Sequence, residues 1–160
     1  MPAWRRSPAE QAGLNRGEFN VLTCPGKRFS EKVCDDNRVR ALSFTGSTEV
    51  GRTLLAQAAD TVKRSAMELG GNAPFIVCED ADLDAAVEGA MISKYRNAGQ
   101  TCVCANRLLV QDGVYDEFTA KLAAAVAALK VGDGTEDGVQ QGPLIDMAAV
   151  EKVEAHIADA

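Results

Sequence analysis

Short apolar runs that alternate with stretches of helical periodicity constrain the fold of this chain more than any other feature. Arg38 to Thr45 carries Val39, Leu42 and Phe44 and reads as a strand, and Glu49 to Val62 then sets Val50, Leu54, Leu55 and Ala58 at helical spacing. Pro74 to Cys78 is a short apolar run suited to a buried strand. Asp80 or Asp82 can cap the helix that follows, whose Leu83, Ala86, Val87, Ala90 and Met91 recur at three and four residues. Leu108 to Val110 is a further strand candidate, and Tyr115 to Leu129 is an amphipathic helix through Phe118, Leu122, Val126 and Leu129. Gly132 to Pro143, with four glycines and a proline, is a loop. Ala9 to Thr23 reads as helix, turn and strand, whereas Met1 to Pro8 shows no periodicity. Strands alternating with helices imply an α/β fold of the parallel type.

Three segments carry residues suited to chemistry. Lys94 to Cys104 puts Cys102 just past a glycine-bearing turn, with Arg96 six positions before it. A thiol attacks as its thiolate, and a loop at a helix start with backbone N–H groups and a nearby arginine favours that form. Packing is the competing role, because free cysteine is among the most buried residue types. Glu68, 34 residues before Cys102, precedes Gly70-Gly71, where backbone can approach closely. Buried, it would suit a general base; otherwise it is a solvated carboxylate. Phe44-Thr45-Gly46-Ser47-Thr48 looks like a strand end, a turn and a helix start, where Gly46 and Ser47 could meet a phosphate or Ser47 could simply cap the helix. Gly46-x-x-x-x-Gly51-Arg52-Thr53 also approaches the phosphate-binding loop of nucleotide triphosphatases, with arginine in place of its lysine, but that reading leaves Glu68 and Cys102 unexplained.

Composition removes several alternatives. With 160 residues, 46% hydrophobic, and a net charge of −6, the chain has material for a core and no basic face for nucleic acid; Arg5-Arg6 is too short to count. No long apolar run suggests a membrane span, and the N-terminus lacks the apolar core of a signal peptide, so the expectation is cytoplasmic, or the mitochondrial matrix in a eukaryote. Five cysteines without a C-x-x-C pair oppose a disulfide framework and a zinc site, and the single His156 cannot build a metal cluster, so no metal is expected.

Taken in order, Phe44-Thr45-Gly46-Ser47, Glu68-Leu69-Gly70-Gly71-Asn72-Ala73-Pro74 and Gly99-Gln100-Thr101-Cys102 resemble the aldehyde dehydrogenase superfamily. The resemblance implies an incomplete α/β protein. Residues 1–66 would be the end of a Rossmann-type NAD(P)-binding domain and residues 67–160 the start of the catalytic domain, about a third of an enzyme and inactive alone. It implies Cys102 as nucleophile, Glu68 as the base for thioester hydrolysis, and Gly46, Ser47, Leu69 and Gly70 as contacts of NAD or NADP. The run from Lys94 to Arg107 is similar to that of succinate-semialdehyde dehydrogenases, which implies Arg96 as a clamp for the substrate carboxylate, its alternative being a helix C-terminal arginine favoured by the dipole. Glutarate semialdehyde is the nearest competing substrate. The same subfamily implies that Cys102 and Cys104 form a redox switch, with packing as the alternative for Cys104; Cys24, Cys34 and Cys78 are expected to be structural. A homo-oligomeric parent is implied. A relative that binds a nucleotide or partner without catalysis remains the alternative of a different class.

Overall fold

The computed structural model describes residues 8–160, so most of the aperiodic segment Met1 to Pro8, with Arg5 and Arg6, lies outside the described residues. The chain divides into two units, Met1–Glu68 and Leu69–Ala160.

In the first unit α1 (Pro8–Gln11) is a single turn. The strand expected at the end of Ala9 to Thr23 is not formed: residues 19–23 are irregular, with Phe19, Val21 and Leu22 exposed. Strand propensity needs a partner edge, and this segment has no ladder among the described residues. Instead α2 (Gly26–Asp35) forms where no helix was expected; its many charges mask the apolar trio Phe29, Val33 and Cys34, of which only Cys34 is buried. It packs on α3 (Thr48–Ala59), which follows β1 (Ala41–Gly46) and buries Gly51, Leu54 and Ala58. The segment after α3, taken from the sequence as a boundary, is β2 (Arg64–Leu69), paired with β1. Lys63, 9% exposed, locks the corner between α2 and β1 by donating to the carbonyls of Asp36 at 2.8 Å and Val39 at 2.9 Å. Hydrogen bonds from the Arg38 side chain and backbone hold the Asp36 carboxyl well below the usual carboxylate range.

The second unit realises the predicted alternation. The strand β3 (Ala73–Val77) leads through α4 (Leu83–Tyr95) to β4 (Ala105–Val110), which lies parallel to β3, and α5 (Asp112–Ala127) follows. Parallel strands require such a crossover, because the chain must return to the same edge before the second strand can start. Asp82 is the cap of α4, its carboxylate accepting from the N–H groups of Asp84 at 3.0 Å and Ala85 at 3.1 Å. One sheet face is covered by α4 and α5 over a core of Val77, Val87, Ala90 and Phe118, with Phe75, Leu108 and Leu122 packed around it. The loop expected over Gly132 to Pro143 leads to α6 (Met147–Asp159), capped by Asp146 and carrying an exposed His156. Cys34 is buried as packing requires, but Cys24 and Cys78 are exposed, so neither serves as core filler. Among the described residues no helix is long and apolar enough to cross a membrane.

Phe118 is 1% exposed at the centre of this core. Phe118→Ala is expected to destabilise the protein by about 3–5 kcal/mol, the sum of lost transfer energy and the cavity left behind, read as a lower urea midpoint at unchanged slope.

Candidate active site

Gly46, Ser47 and Glu68 belong to the first unit; Leu69, Gly70, Arg96, Cys102 and Cys104 belong to the second. In the first, Ser47 is the N-cap of α3, its Oγ accepting from the Val50 N–H at 3.3 Å. Capping uses only the oxygen lone pair, so the hydroxyl proton and the N–H groups of Thr48 and Glu49, which have no partner among the described residues, stay available to an acceptor. A Cβ at Gly46, the last residue of β1, would meet the tip of the Phe44 ring, so a side chain there requires that ring to move. These features fit a phosphate of a dinucleotide. They do not fit a triphosphatase loop: α3 starts at Thr48, so Gly51, Arg52 and Thr53 are helical and no wrapping loop separates Gly46 from Gly51. Glu68 stands exposed on β2, so the burial expected of it is not supplied within its unit.

In the second unit the cysteine segment departs from the expected local geometry. Cys102 is not at a helix start. It follows the C-terminal end of α4 and a 3-10 turn over Arg96–Gly99, and the next element is β4, so no helix N-terminus faces the thiol from its own segment. Asn97, Ala98 and Gly99 take positive φ of 54°, 53° and 73° in succession, a left-handed turn that alanine rarely adopts. Several hydrogen bonds hold it. The Gln100 N–H donates to the Asn97 carbonyl at 3.0 Å, and the Asn97 side chain donates to the Gln100 carbonyl at 3.2 Å. From the loop after α5, Gln141 donates to the Tyr95 carbonyl, and the Ile145 N–H donates to Gln100 Oε1 at 3.1 Å. Backbone strain of this kind persists where surrounding contacts over-determine it, commonly at functional sites.

The result is an exposed Cys102 beside a buried Cys104, both free thiols. The Cys104 thiol donates to the Gly99 carbonyl at 3.0 Å, which ties the end of the turn to β4. Arg96 is exposed, and its guanidinium has no hydrogen-bond or ion-pair partner among the described residues.

The glycine pair after Glu68 meets this turn. A Cβ at Gly71 would lie 2.7 Å from the Cys102 carbonyl oxygen, so only glycine lets the two backbones approach as they do; at Gly70 the space is open. Asn106 Nδ2 donates to the Gly71 carbonyl at 3.1 Å, and Arg107 donates to the Asn72 carbonyl at 3.1 Å. Sequence reasoning passed over Asn106, because no periodicity or turn signal marks the irregularity in β4 that turns its side chain toward Gly71.

The sequence pattern of the aldehyde dehydrogenase family matches residues 7–160. The glutarate-semialdehyde dehydrogenase of Pseudomonas aeruginosa is 62% identical over 95% of this chain, and the 3-sulfolactaldehyde dehydrogenase of Pseudomonas putida is 60% identical over 95%. The crystal structure of succinate-semialdehyde dehydrogenase from Burkholderia pseudomallei is similar with a TM-score of 0.93 at 62% identity, covering 95% of this chain and 32% of that one. The chain spans 32% and 31% of the two curated relatives, about a third of their length.

The Gly71–Cys102 contact makes a direct prediction. Gly71→Ala must displace one of the two backbones, at a strain of about 1–3 kcal/mol, and should lower Tm and change the alkylation rate of Cys102 severalfold. Gly70→Ala, which meets open space, should leave Tm near that of the wild type.

Proposed function

The chain belongs to the aldehyde dehydrogenase family, and from that premise we propose that the complete polypeptide oxidises succinate semialdehyde to succinate with NAD or NADP. The observation that carries this reading is the approach of Gly71 to an exposed Cys102, which joins the glutamate motif and the cysteine motif at one edge of the second unit. Residues 1–66 act as part of the cofactor domain and residues 67–160 as part of the catalytic domain.

Cys102 Sγ, as thiolate, attacks the aldehyde carbon; a C–S bond forms and the carbonyl oxygen becomes an oxyanion, for which the Cys102 N–H is one donor. NAD or NADP, when bound, supplies the two-electron acceptor for the hydride that leaves on collapse to the thioester. The amides of Thr48 and Glu49 with the Ser47 hydroxyl would hold its pyrophosphate, and Leu69 and Gly70 are proposed as further contacts of the cofactor. Glu68 then takes a proton from water, the hydroxyl adds to the thioester, and the C–S bond breaks to give the acid and the Cys102 thiolate. The 160 residues alone are expected to show little or no turnover, an expectation that robust NAD(P)H formation by the isolated polypeptide would refute.

Arg96 supports a substrate with an anionic far end. Its guanidinium, which has no partner among the described residues, is a planar fork suited to a carboxylate, and each relative named above takes its name from an aldehyde bearing a second, anionic group. Glutarate semialdehyde is the second reading, favoured by the 62% identical Pseudomonas aeruginosa relative; a single methylene separates the two substrates by only about 1–3 kcal/mol.

In the complete polypeptide, Arg96→Leu should cut kcat/KM for succinate semialdehyde by roughly ten- to a hundredfold and leave butanal nearly unchanged, as expected for a charge-assisted hydrogen bond of about 1.5–3 kcal/mol. An unaltered preference between the two aldehydes would sink the clamp, and no oxidation of any aldehyde by the wild type would sink the function.

We also propose that Cys102 and Cys104 form a reversible disulfide under peroxide. The Cys102 thiolate attacks peroxide to give a sulfenic acid and hydroxide; Cys104 then leaves the Gly99 carbonyl and its sulfur displaces water. Peroxide inactivation of the wild type should be fully reversed by thiol, whereas in Cys104→Ala, where no disulfide can intercept the sulfenic acid, a growing fraction should pass to the sulfinic stage that thiol does not recover.

A further inference from the structure

The parallel pairing of β3 with β4 contains an irregularity placed where it affects the nucleophile. Ala73 lies opposite Ala105 and Pro74 opposite Arg107, so Asn106 is an extra residue in β4, a β-bulge. Proline has no N–H to give the ladder, which makes this a natural place for the pairing to break. A bulge leaves its residue unpaired and re-aims its side chain, and such irregularities are common beside active sites.

The freed carboxamide of Asn106 reaches three segments. Its Nδ2 donates to the Gly71 carbonyl at 3.1 Å. Its Oδ1 accepts from Lys94 Nζ of α4 at 3.3 Å and lies 3.7 Å from the Cys104 thiol. Gly71 in turn sits against the Cys102 carbonyl. We infer that Asn106 is a positioning residue: the Asn106 carboxamide fixes Gly71, and through Gly71 it fixes the backbone of Cys102, whose N–H must point at the developing oxyanion. The inference rests on the function proposed above, since it assigns a purpose to that alignment. Arg107, at the next position, donates separately to the Asn72 carbonyl.

Asn106→Asp tests this in the complete polypeptide. Aspartate matches asparagine in size and keeps the acceptor for Lys94 and Cys104, but it replaces the donor to the Gly71 carbonyl with an anionic oxygen, so the attraction at that contact becomes a repulsion. The expected result is a fall in kcat of roughly tenfold or more, with KM for succinate semialdehyde within about threefold of the wild type. Hydrogen exchange should accelerate in peptides spanning residues 97–104 but not in α5, and Cys34 and Cys104 should stay protected from alkylation. Asn106→Gln, which retains an amide donor, should recover part of the lost kcat.

Wild-type kcat in Asn106→Asp would overturn the inference, and so would a fall in kcat accompanied by general exposure of Cys34 and Cys104, which marks a purely structural residue. If Asn106→Asp does not fold, Asn106→Ser carries the same test, and failure of every variant to fold overturns the positioning role. A wild type inert towards aldehydes removes the functional reading instead; the Asn106–Gly71 contact is then judged by hydrogen exchange at residues 97–104 alone, where no difference between wild type and Asn106→Asp rejects it.

Discussion

The parallel pairing of β3 and β4 is the constraint on which the candidate site depends. Two parallel strands start at the same edge of their sheet, so the segment that enters β3 and the segment that enters β4 must lie side by side there, however far apart they are in sequence. With Ala73 opposite Ala105, the residues just before each strand are Asn72 and Cys104, and the chain behind them runs back to Gly70-Gly71 on one side and to Cys102 on the other. The 13-residue helix α4 is the return path that makes this pairing possible. An antiparallel pairing of the same strands would send the two motifs to opposite edges. Ligand sites of open α/β sheets usually lie at the carboxyl ends of the strands; here the chemistry-bearing loops gather at the amino ends.

Local backbone strain and close backbone contact reinforce each other at that edge. The left-handed Asn97-Ala98-Gly99 turn reverses the chain between α4 and Cys102, and it is held by Gln100 and by Gln141 acting from the loop after α5. The buried Cys104 thiol anchors the end of the turn to β4, so a cysteine pair that looks symmetric in sequence is unequal in space: one sulfur outside, one inside. Cys102 is presented by a turn rather than by a helix start, and its surroundings are therefore made of hydrogen-bonded loop backbone instead of a helix dipole. The groups with charge to offer, Arg96 and Glu68, both stand exposed in their own units.

Legibility in the sequence followed the range of the forces involved. The helices α3, α4 and α5 and the strands β1, β3 and β4 were readable because apolar spacing records which face is buried, and the Asp82 cap was readable because capping is a contact between neighbours in sequence. The helix α2 was not, since its charges outnumber the few apolar residues and only Cys34 is buried. Phe19 to Leu22 has strand-like composition but finds no ladder, and β2 was hidden in a segment whose polar residues gave no alternation. The candidate site divides in the same way. Cys102, Glu68, Gly70, Gly71 and Arg96 stood out by residue type and motif, whereas the roles of Asn106, Gln100 and Gln141 depend on partners 35, 45 and 46 residues away.

The sequence by itself determined the α/β alternation, the family, and which side chains are candidates for nucleophile, base and carboxylate clamp, because these depend on local periodicity and on residue type. The tertiary structure alone decided that Gly71 lies against the Cys102 carbonyl, that Cys104 is buried while Cys102 is not, and that Asn106 is bulged out of β4 to join three segments. Those outcomes are set by the register of two strands and by which carbonyls remain unpaired once the chain has closed on itself, and no spacing along the sequence encodes either one.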